Sequence, residues 1–219
     1  MLKACILDLD GTLLNTLPTI AHYSNLALRE FGFEEISAAH YQTMCRLPFH
    51  EYYETLLRYG GCPADEIESK RDPIGHYDRS IYLEDPLYLT EPFPGISDTL
   101  IRLKEKGIKL AVLTNKPDQI AQSVVSKLFP GTFDLCVGYT GSNHSKPDPR
   151  ALWNIIKQMS LAKEECMYVG DTDIDVITAN RAEVFSVAVS WGYQSADDLA
   201  ELKPSLIISE PEELLSLFD

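Results

Sequence analysis

The sequence predicts an α/β fold, a doubly wound parallel-sheet core domain carrying an inserted α-helical cap domain. Three observations carry this reading. Six short segments are apolar throughout instead of alternating, the mark of parallel strands covered on both faces. From about residue 91 to the end, stretches with apolar spacing near 3.6 lie between those segments. Residues 16–88 interrupt the alternation with helical periods and no convincing strand.

The first strand is "KACILDL", residues 3–9, an apolar run that ends in Asp8, Asp10, Gly11 and Thr12. The helical stretch follows, with "TIAHYSNLALREFGF", "FHEYYETLLRYG" and "EIESKRDPIGHYDRSIYL", and it holds eight of the eleven tyrosines. It closes on "EDPLYLTEPFPG", where three prolines and a glycine predict a stiff return crossing. The expected division is therefore residues 1–15 with 89–219 as the core and 16–88 as a helical cap, expected to act as a lid.

Past the return, strands and helices alternate. "GISDTLIRLKEKG" is a helix closed by Gly107, and "KLAVLT" at 109–114 is a strand. "PDQIAQSVVSKLF" starts on Pro117 and Asp118, and "FDLCVG" at 133–138 is the next strand. "DPRALWNIIKQM" opens on Asp148 and Pro149 and leads to the strand "CMYVG" at 166–170. "DIDVITANRA" is a helix, and "FSVAVS" at 185–190 and "SLIIS" at 205–209 complete the set of strands.

Composition narrows the function. An apolar fraction of 45% with 24% charged residues is ordinary for a globular chain, and no apolar run reaches the roughly 18–20 residues of a membrane span. Nineteen Lys and Arg against 33 Asp and Glu give −14, which argues against nucleic acid and anionic membranes as partners. Five scattered cysteines form neither a C-x-x-C nor a zinc-like cluster, and the chain starts directly into a strand. A cytoplasmic protein is expected, as monomer or homodimer.

In an open α/β sheet, ligands bind beyond the carboxyl ends of the strands. The polar residues there are Asp8, Asp10, Gly11 and Thr12; Thr114, Asn115 and Lys116; Ser145, Lys146, Pro147 and Asp148; and Asp171, Asp173 and Asp175. Taken singly, "GDTDID" is a helix cap, "LTNKP" a turn before a helix and "SKPDP" a proline-rich loop. "DLDGT" resists such a reading, because paired carboxylates at a buried strand end need a cation or a proton. Together the four segments bring three or four carboxylates, a hydroxyl, an amide and two lysines to one rim. Carboxylates suit Mg²⁺, and lysine, hydroxyl and main-chain amides around it make a cradle for a phosphoryl group.

The ordered set of "DLDGTL", "LTN", the Lys of "SKPDP" and "GDTDID" resembles the four motifs of the haloacid dehalogenase superfamily. The insert after the first motif resembles the C1 cap, and "TNKP", "KPDP" and "VSWGY" resemble the phosphoglycolate phosphatase-like branch. The resemblance spans essentially the whole chain. It implies a Mg²⁺-dependent phosphatase of a small phosphomonoester, with 2-phosphoglycolate as the leading candidate.

By the same resemblance, Asp8 is the nucleophile and Asp10 the general acid and then base. Thr114 and the amide of Asn115 hold the phosphoryl oxygens, and Lys146 neutralises them and restrains Asp8. Asp8, the main-chain carbonyl of Asp10 and Asp171 ligate Mg²⁺, while Asp175 orients Lys146 or a metal-bound water. Asp173 caps its helix or faces solvent. Arg46 in "MCRLPFHEYY" is the cap residue expected to meet the substrate. Asn15 stands where many relatives have Asp, and "ANRAEV" replaces their Ala-Gly pair.

Other readings stay open at this point. Another sugar-phosphate or nucleotide phosphatase, a pyrophosphatase and a phosphoglucomutase-like transferase share the same motifs. A dehalogenase needs no Asp10. A receiver-like module phosphorylated on Asp8 needs no acid for a leaving alkoxide, and an inactive interaction protein needs none of the motif residues.

Overall fold

A computed structural model describes residues 1–218. In chain order the elements are β1 (Ala4–Leu7), β2 (Leu14–Asn15), α1 (Leu17–Glu30), α2 (Ala38–Met44), α3 (Phe49–Tyr59), α4 (Ile67–Glu84) and β3 (Glu91–Pro92). Then come α5 (Ile96–Glu105), β4 (Lys109–Pro117), α6 (Asp118–Leu128), β5 (Leu135–Tyr139), α7 (Arg150–Gln158), β6 (Cys166–Gly170), α8 (Asp173–Ala182), β7 (Phe185–Val189), α9 (Ala196–Glu201) and β8 (Leu206–Ile208). The chain forms two compact units, Met1–Asn15 with everything from Glu91 onward, and Thr16–Thr90.

The first unit is built on a six-stranded sheet in the order β5-β4-β1-β6-β7-β8, parallel throughout. All six apolar runs supply its strands. β1 and β6 are buried at every position, as strands covered on both faces must be. Side chains alternate across the sheet, so Ala4 and Ile6 share one face with Ala111, Leu113 and Tyr168, and pack there against Leu152 and Ile155 of α7 and Ala179 of α8.

Strand order decides where a ligand goes. From β1 the chain moves outward through β4 and β5, then crosses back to β6 on the other flank of β1. That reversal opens a crevice at the carboxyl ends of β4, β1 and β6. A small antiparallel pair, β2 with β3, joins Leu14 to Pro92 and Asn15 to Glu91 where the chain leaves and re-enters this unit. The prolines of the return crossing predict stiffness there, but not this ladder.

The second unit is helical, with no strand among its described residues. Its core gathers Ala27, Leu28, Tyr41, Met44, Tyr53, Leu56, Leu57 and Ile74. The tyrosines divide as a packing role predicts: Tyr23, Tyr41, Tyr53 and Tyr82 are buried, whereas Tyr59 and Tyr88 are exposed. Asp78 of α4 is buried among them, accepting from Tyr53 Oη at 2.5 Å and Ser24 Oγ at 3.3 Å. A buried carboxylate needs such donors, and they tie α1, α3 and α4 together. No helix among the described residues is long and apolar enough to cross a membrane.

Candidate active site

The site is assembled from three neighbouring strand ends and one loop. β1 runs out into Asp8 and Asp10, and the chain then turns sharply through Gly11, whose φ of +86° suits a residue without a side chain. Thr12 follows, fully buried, and its hydroxyl donates to Asp171 Oδ1 at 2.9 Å. β6 delivers Asp171 and, one helical turn on, Asp175. β4 delivers Thr114, Asn115 and Lys116, and the loop after β5 delivers Lys146.

Lys146 is the centre of charge. Its ammonium lies 2.7 Å from Asp8 Oδ1 and 2.7 Å from Asp175 Oδ1, and all three side chains are at most 8% exposed. Its contact with Asp8 is a close, buried ion pair. The backbone of Lys146 is clamped as well. Asn115 Oδ1 accepts from its N–H at 2.8 Å, and Asn115 Nδ2 donates to its carbonyl at 3.0 Å. The side-chain amide of Asn115 is spent on this clamp, so any contact it makes to a phosphoryl group comes from its main chain.

Asp175 is saturated. Tyr168 Oη donates to Oδ1 at 3.0 Å, and the N–H and hydroxyl of Thr172 donate to Oδ2 at 3.1 and 2.6 Å, a capping box at the start of α8. Every oxygen of Asp175 is engaged by donors, with the Lys146 ammonium among them. Asp171 is held by Thr12 on Oδ1 and by the N–H of Tyr193 on Oδ2, at 2.8 Å. It is also wedged between two glycines: a Cβ on Gly11 would meet its Oδ2 at 2.2 Å, and one on Gly192 would meet its Cβ at 2.2 Å. The "WGY" stretch thus builds the back wall of the site, with Trp191 Nε1 donating to the carbonyl of Thr12 at 3.0 Å.

Burial sets the electrostatics. It pushes the Asp8 carboxyl up to about 7, with Lys146 pulling the other way and the charges of Asp175 and Asp10 adding to the rise. Burial pushes Asp171 well above the carboxylate range too, reinforced by Asp175 and Asp8 and opposed by the donors from Tyr193 and Thr12. For Lys146, burial works against the ammonium, but the carboxylates of Asp175 and Asp8 outweigh it and hold it above its ordinary range. Carboxylate oxygens of Asp8, Asp171 and Asp175 all lie within 4.8 Å of one another. Two desolvated carboxylates that resist ionising beside a single ammonium make an all-oxygen donor set short of positive charge, and that fits a hard divalent cation.

Asp10 lies apart from that cluster. Its two oxygens accept from Lys116 Nζ at 3.1 and 3.2 Å. The opening pair of carboxylates is therefore separated by giving each its own lysine, Lys146 to Asp8 and Lys116 to Asp10. Lys116 stands in the "TNKP" motif, but nothing in that motif reveals a partner 106 positions away. Thr114 is buried, and its hydroxyl accepts from the N–H of Lys116 at 3.2 Å. Asp173 begins α8, with its carboxylate accepting from the N–H of Ile174 at 3.0 Å. Arg46 is exposed in the turn between α2 and α3 of the helical unit.

A family model described as "Haloacid dehalogenase-like hydrolase" matches residues 5–189. The chain belongs to that family. This hydrolase resembles curated relatives over nearly its full length. It is 30% identical to the phosphoglycolate phosphatase of Aquifex aeolicus over 100% of this chain and 97% of that protein. It is 28% identical to phosphoglycolate phosphatase 1 of Pseudomonas aeruginosa over 99% of this chain and 80% of that one. Among solved structures, a protein of Lactobacillus delbrueckii subsp. bulgaricus provisionally assigned as a phosphoglycolate phosphatase superposes with a TM-score of 0.89 at 27% identity, covering 99% of this chain and 98% of that one. A haloacid dehalogenase-like family hydrolase of Streptococcus pneumoniae gives a TM-score of 0.84 at 25% identity, covering 100% and 99%.

Proposed function

We propose that this hydrolase is a Mg²⁺-dependent phosphatase of small phosphomonoesters, working through a phosphorylated Asp8, with 2-phosphoglycolate as its preferred substrate. The observation that carries the reading is the Asp8–Lys146–Asp175 line of buried charge beside Asp171 and Asp10 at the sheet's reversal point. The substrate choice is supported by the printed names of its relatives.

Asp8, Asp171 and the main-chain carbonyl of Asp10 would hold Mg²⁺. When bound, that ion supplies positive charge to the phosphoryl oxygens and to the ionised carboxylates. In the first step the Asp8 carboxylate bonds to phosphorus while the bond from phosphorus to the ester oxygen breaks. The electron pair goes to that oxygen, which takes a proton from the Asp10 carboxyl. In the second, Asp10 takes a proton from water as the water oxygen bonds to phosphorus. The Asp8–phosphorus bond breaks, Asp8 is regenerated, and inorganic phosphate leaves.

Lys146 neutralises the phosphoryl oxygens throughout and is kept in place by Asp175, which Tyr168 and Thr172 fix in turn. Because Asp175 has no oxygen without a donor, Lys146 cannot swing away without leaving a buried carboxylate short of its cation.

Phosphate release with and without Mg²⁺ tests this, across 2-phosphoglycolate, hexose phosphates, nucleotides and pyrophosphate. Mg²⁺-dependent release with 2-phosphoglycolate preferred is expected. No release from any of them refutes the phosphatase reading, and a long-lived phosphate on Asp8 without turnover would favour a receiver-like role.

A further inference from the structure

Lys116 is a buried cation of the rim to which the chemistry above gives no task. Its place depends on an irregularity in the sheet. β4 runs in register with β5 from Ala111 to Leu113 and then slips, so that Pro117 pairs with Tyr139. A bulge of this kind re-aims the side chains it carries. Here it spans Thr114, Asn115 and Lys116. Asp118 fastens it by accepting from the N–H of Gly138 at 2.9 Å. Residue 138 must be a glycine for this, because a Cβ there would lie 2.5 Å from Asp118 Cα and 2.8 Å from the Lys116 carbonyl oxygen.

The outcome is an ammonium 3.1 and 3.2 Å from the two oxygens of Asp10, on a side chain only 4% exposed. Lys146 is committed between Asp8 and Asp175. The two lysines therefore divide the rim, Lys146 on the side of the attacking carboxylate and Lys116 on the side of the leaving group. A scissile oxygen that receives a proton from Asp10 must come within about 2.6–3.2 Å of it. Lys116 touches the same carboxylate, so its ammonium also reaches whatever group the carbon next to that oxygen carries. A carboxylate on that carbon stands two bonds from the scissile oxygen. A lysine ammonium is a compact charge on a flexible stem, suited to such an anion, whereas an alkyl or hydroxymethyl group offers no charge to a desolvated ammonium.

We propose that Lys116 is the specificity-determining residue for the leaving group: it binds a carboxylate borne on the carbon adjacent to the scissile oxygen, and so selects phosphate esters of 2-hydroxy acids. This rests on the phosphatase reading above and adds to it a residue and a rule for its substrates.

The test compares 2-phosphoglycolate with ethyl phosphate, which has the same two carbons and no carboxylate, in the wild type, Lys116→Met and Lys116→Arg. The quantity read is the ratio of kcat/KM for the two esters with Mg²⁺ present. Wild type favours 2-phosphoglycolate, Lys116→Met lowers the ratio by about tenfold or more, chiefly through KM, and Lys116→Arg keeps most of it. If both esters lose rate together and the ratio stands, Lys116 only positions Asp10 and the proposal is overturned. A wild type indifferent to the carboxylate overturns it while leaving the phosphatase reading intact. No phosphate released from either ester removes that reading and this inference with it. Should Lys116→Met fail to give a folded circular-dichroism spectrum, the wild-type preference and the Lys116→Arg ratio decide.

Discussion

Lys146 and Asp8 meet at 2.7 Å as an ion pair with both side chains buried. The oxygen of Asp8 is thus charge-compensated, as the proposed nucleophile requires. Replacing Asp8 by Asn removes the proposed nucleophile and keeps the shape. Asp8→Asn should lower phosphate release by about 10³-fold or more while the circular-dichroism spectrum stays native; retained turnover would show that another group attacks.

Burial raises the Asp8 carboxyl from its ordinary value to about 7. Between the unfolded carboxylate range near 4 and about 7, the native state then binds more protons than the unfolded one, so this group makes stability fall as pH rises through that window. With a chelator present, the melting temperature should decline from pH 4 to pH 7 more steeply in the wild type than in Asp8→Asn. Added Mg²⁺ should raise it most at the upper end. Parallel slopes for the two proteins would show that Asp8 does not carry the effect.

Asp10 is proposed to protonate the leaving oxygen. Asp10→Asn should cost alkyl phosphates about 10²–10⁴-fold and p-nitrophenyl phosphate much less, since nitrophenolate leaves without a proton. Equal losses on both esters would rule out the acid role.

Glu183 ends α8 in the left-handed region, with φ +57°, a conformation that favours glycine. A side chain there costs about 1–2 kcal/mol, and glycine's extra chain entropy returns about 0.5–1 kcal/mol of that. The surface ion pair with Lys163 contributes little against it. Glu183→Gly should therefore stabilise the protein by about 0.5–1 kcal/mol in urea unfolding. An unchanged or lower midpoint would mean that the ion pair outweighs the backbone.

The parts of this molecule that follow a local rule were legible in the sequence. Runs such as "CMYVG" and "KLAVLT" are apolar because both faces of a parallel strand are covered, and they form β6 and β4. "DIDVITANRA" has helical spacing behind a capping threonine and forms α8. α2 is only seven residues long and has too few turns to show a period. The two-residue strands β2 and β3 exist through pairing across 78 and 76 positions, Leu14 with Pro92 and Asn15 with Glu91, and no local pattern marks them. In the site, residue types were readable but pairings were not. Lys116 stood in view as a motif lysine, yet its partner Asp10 lies 106 positions away, and Gly192 earns its identity only from the approach of Asp171.

The central place of β1 has a bearing on how the chain is made. β1 leaves the ribosome well before the neighbours that cover its two edges, since β4 and β6 follow more than 100 and more than 160 positions later. Sheets closed by such distant pairings fold slowly, because a long loop must be ordered before any contact rewards it. Until Cys166–Gly170 is synthesised, a fully apolar strand waits with one edge unpaired, and such an edge can recruit a strand of another chain. A nascent chain stalled or cut between Lys146 and β6 should therefore be a poor solute and a client for chaperones, though it already holds Asp8, Asp10, Lys116 and Lys146.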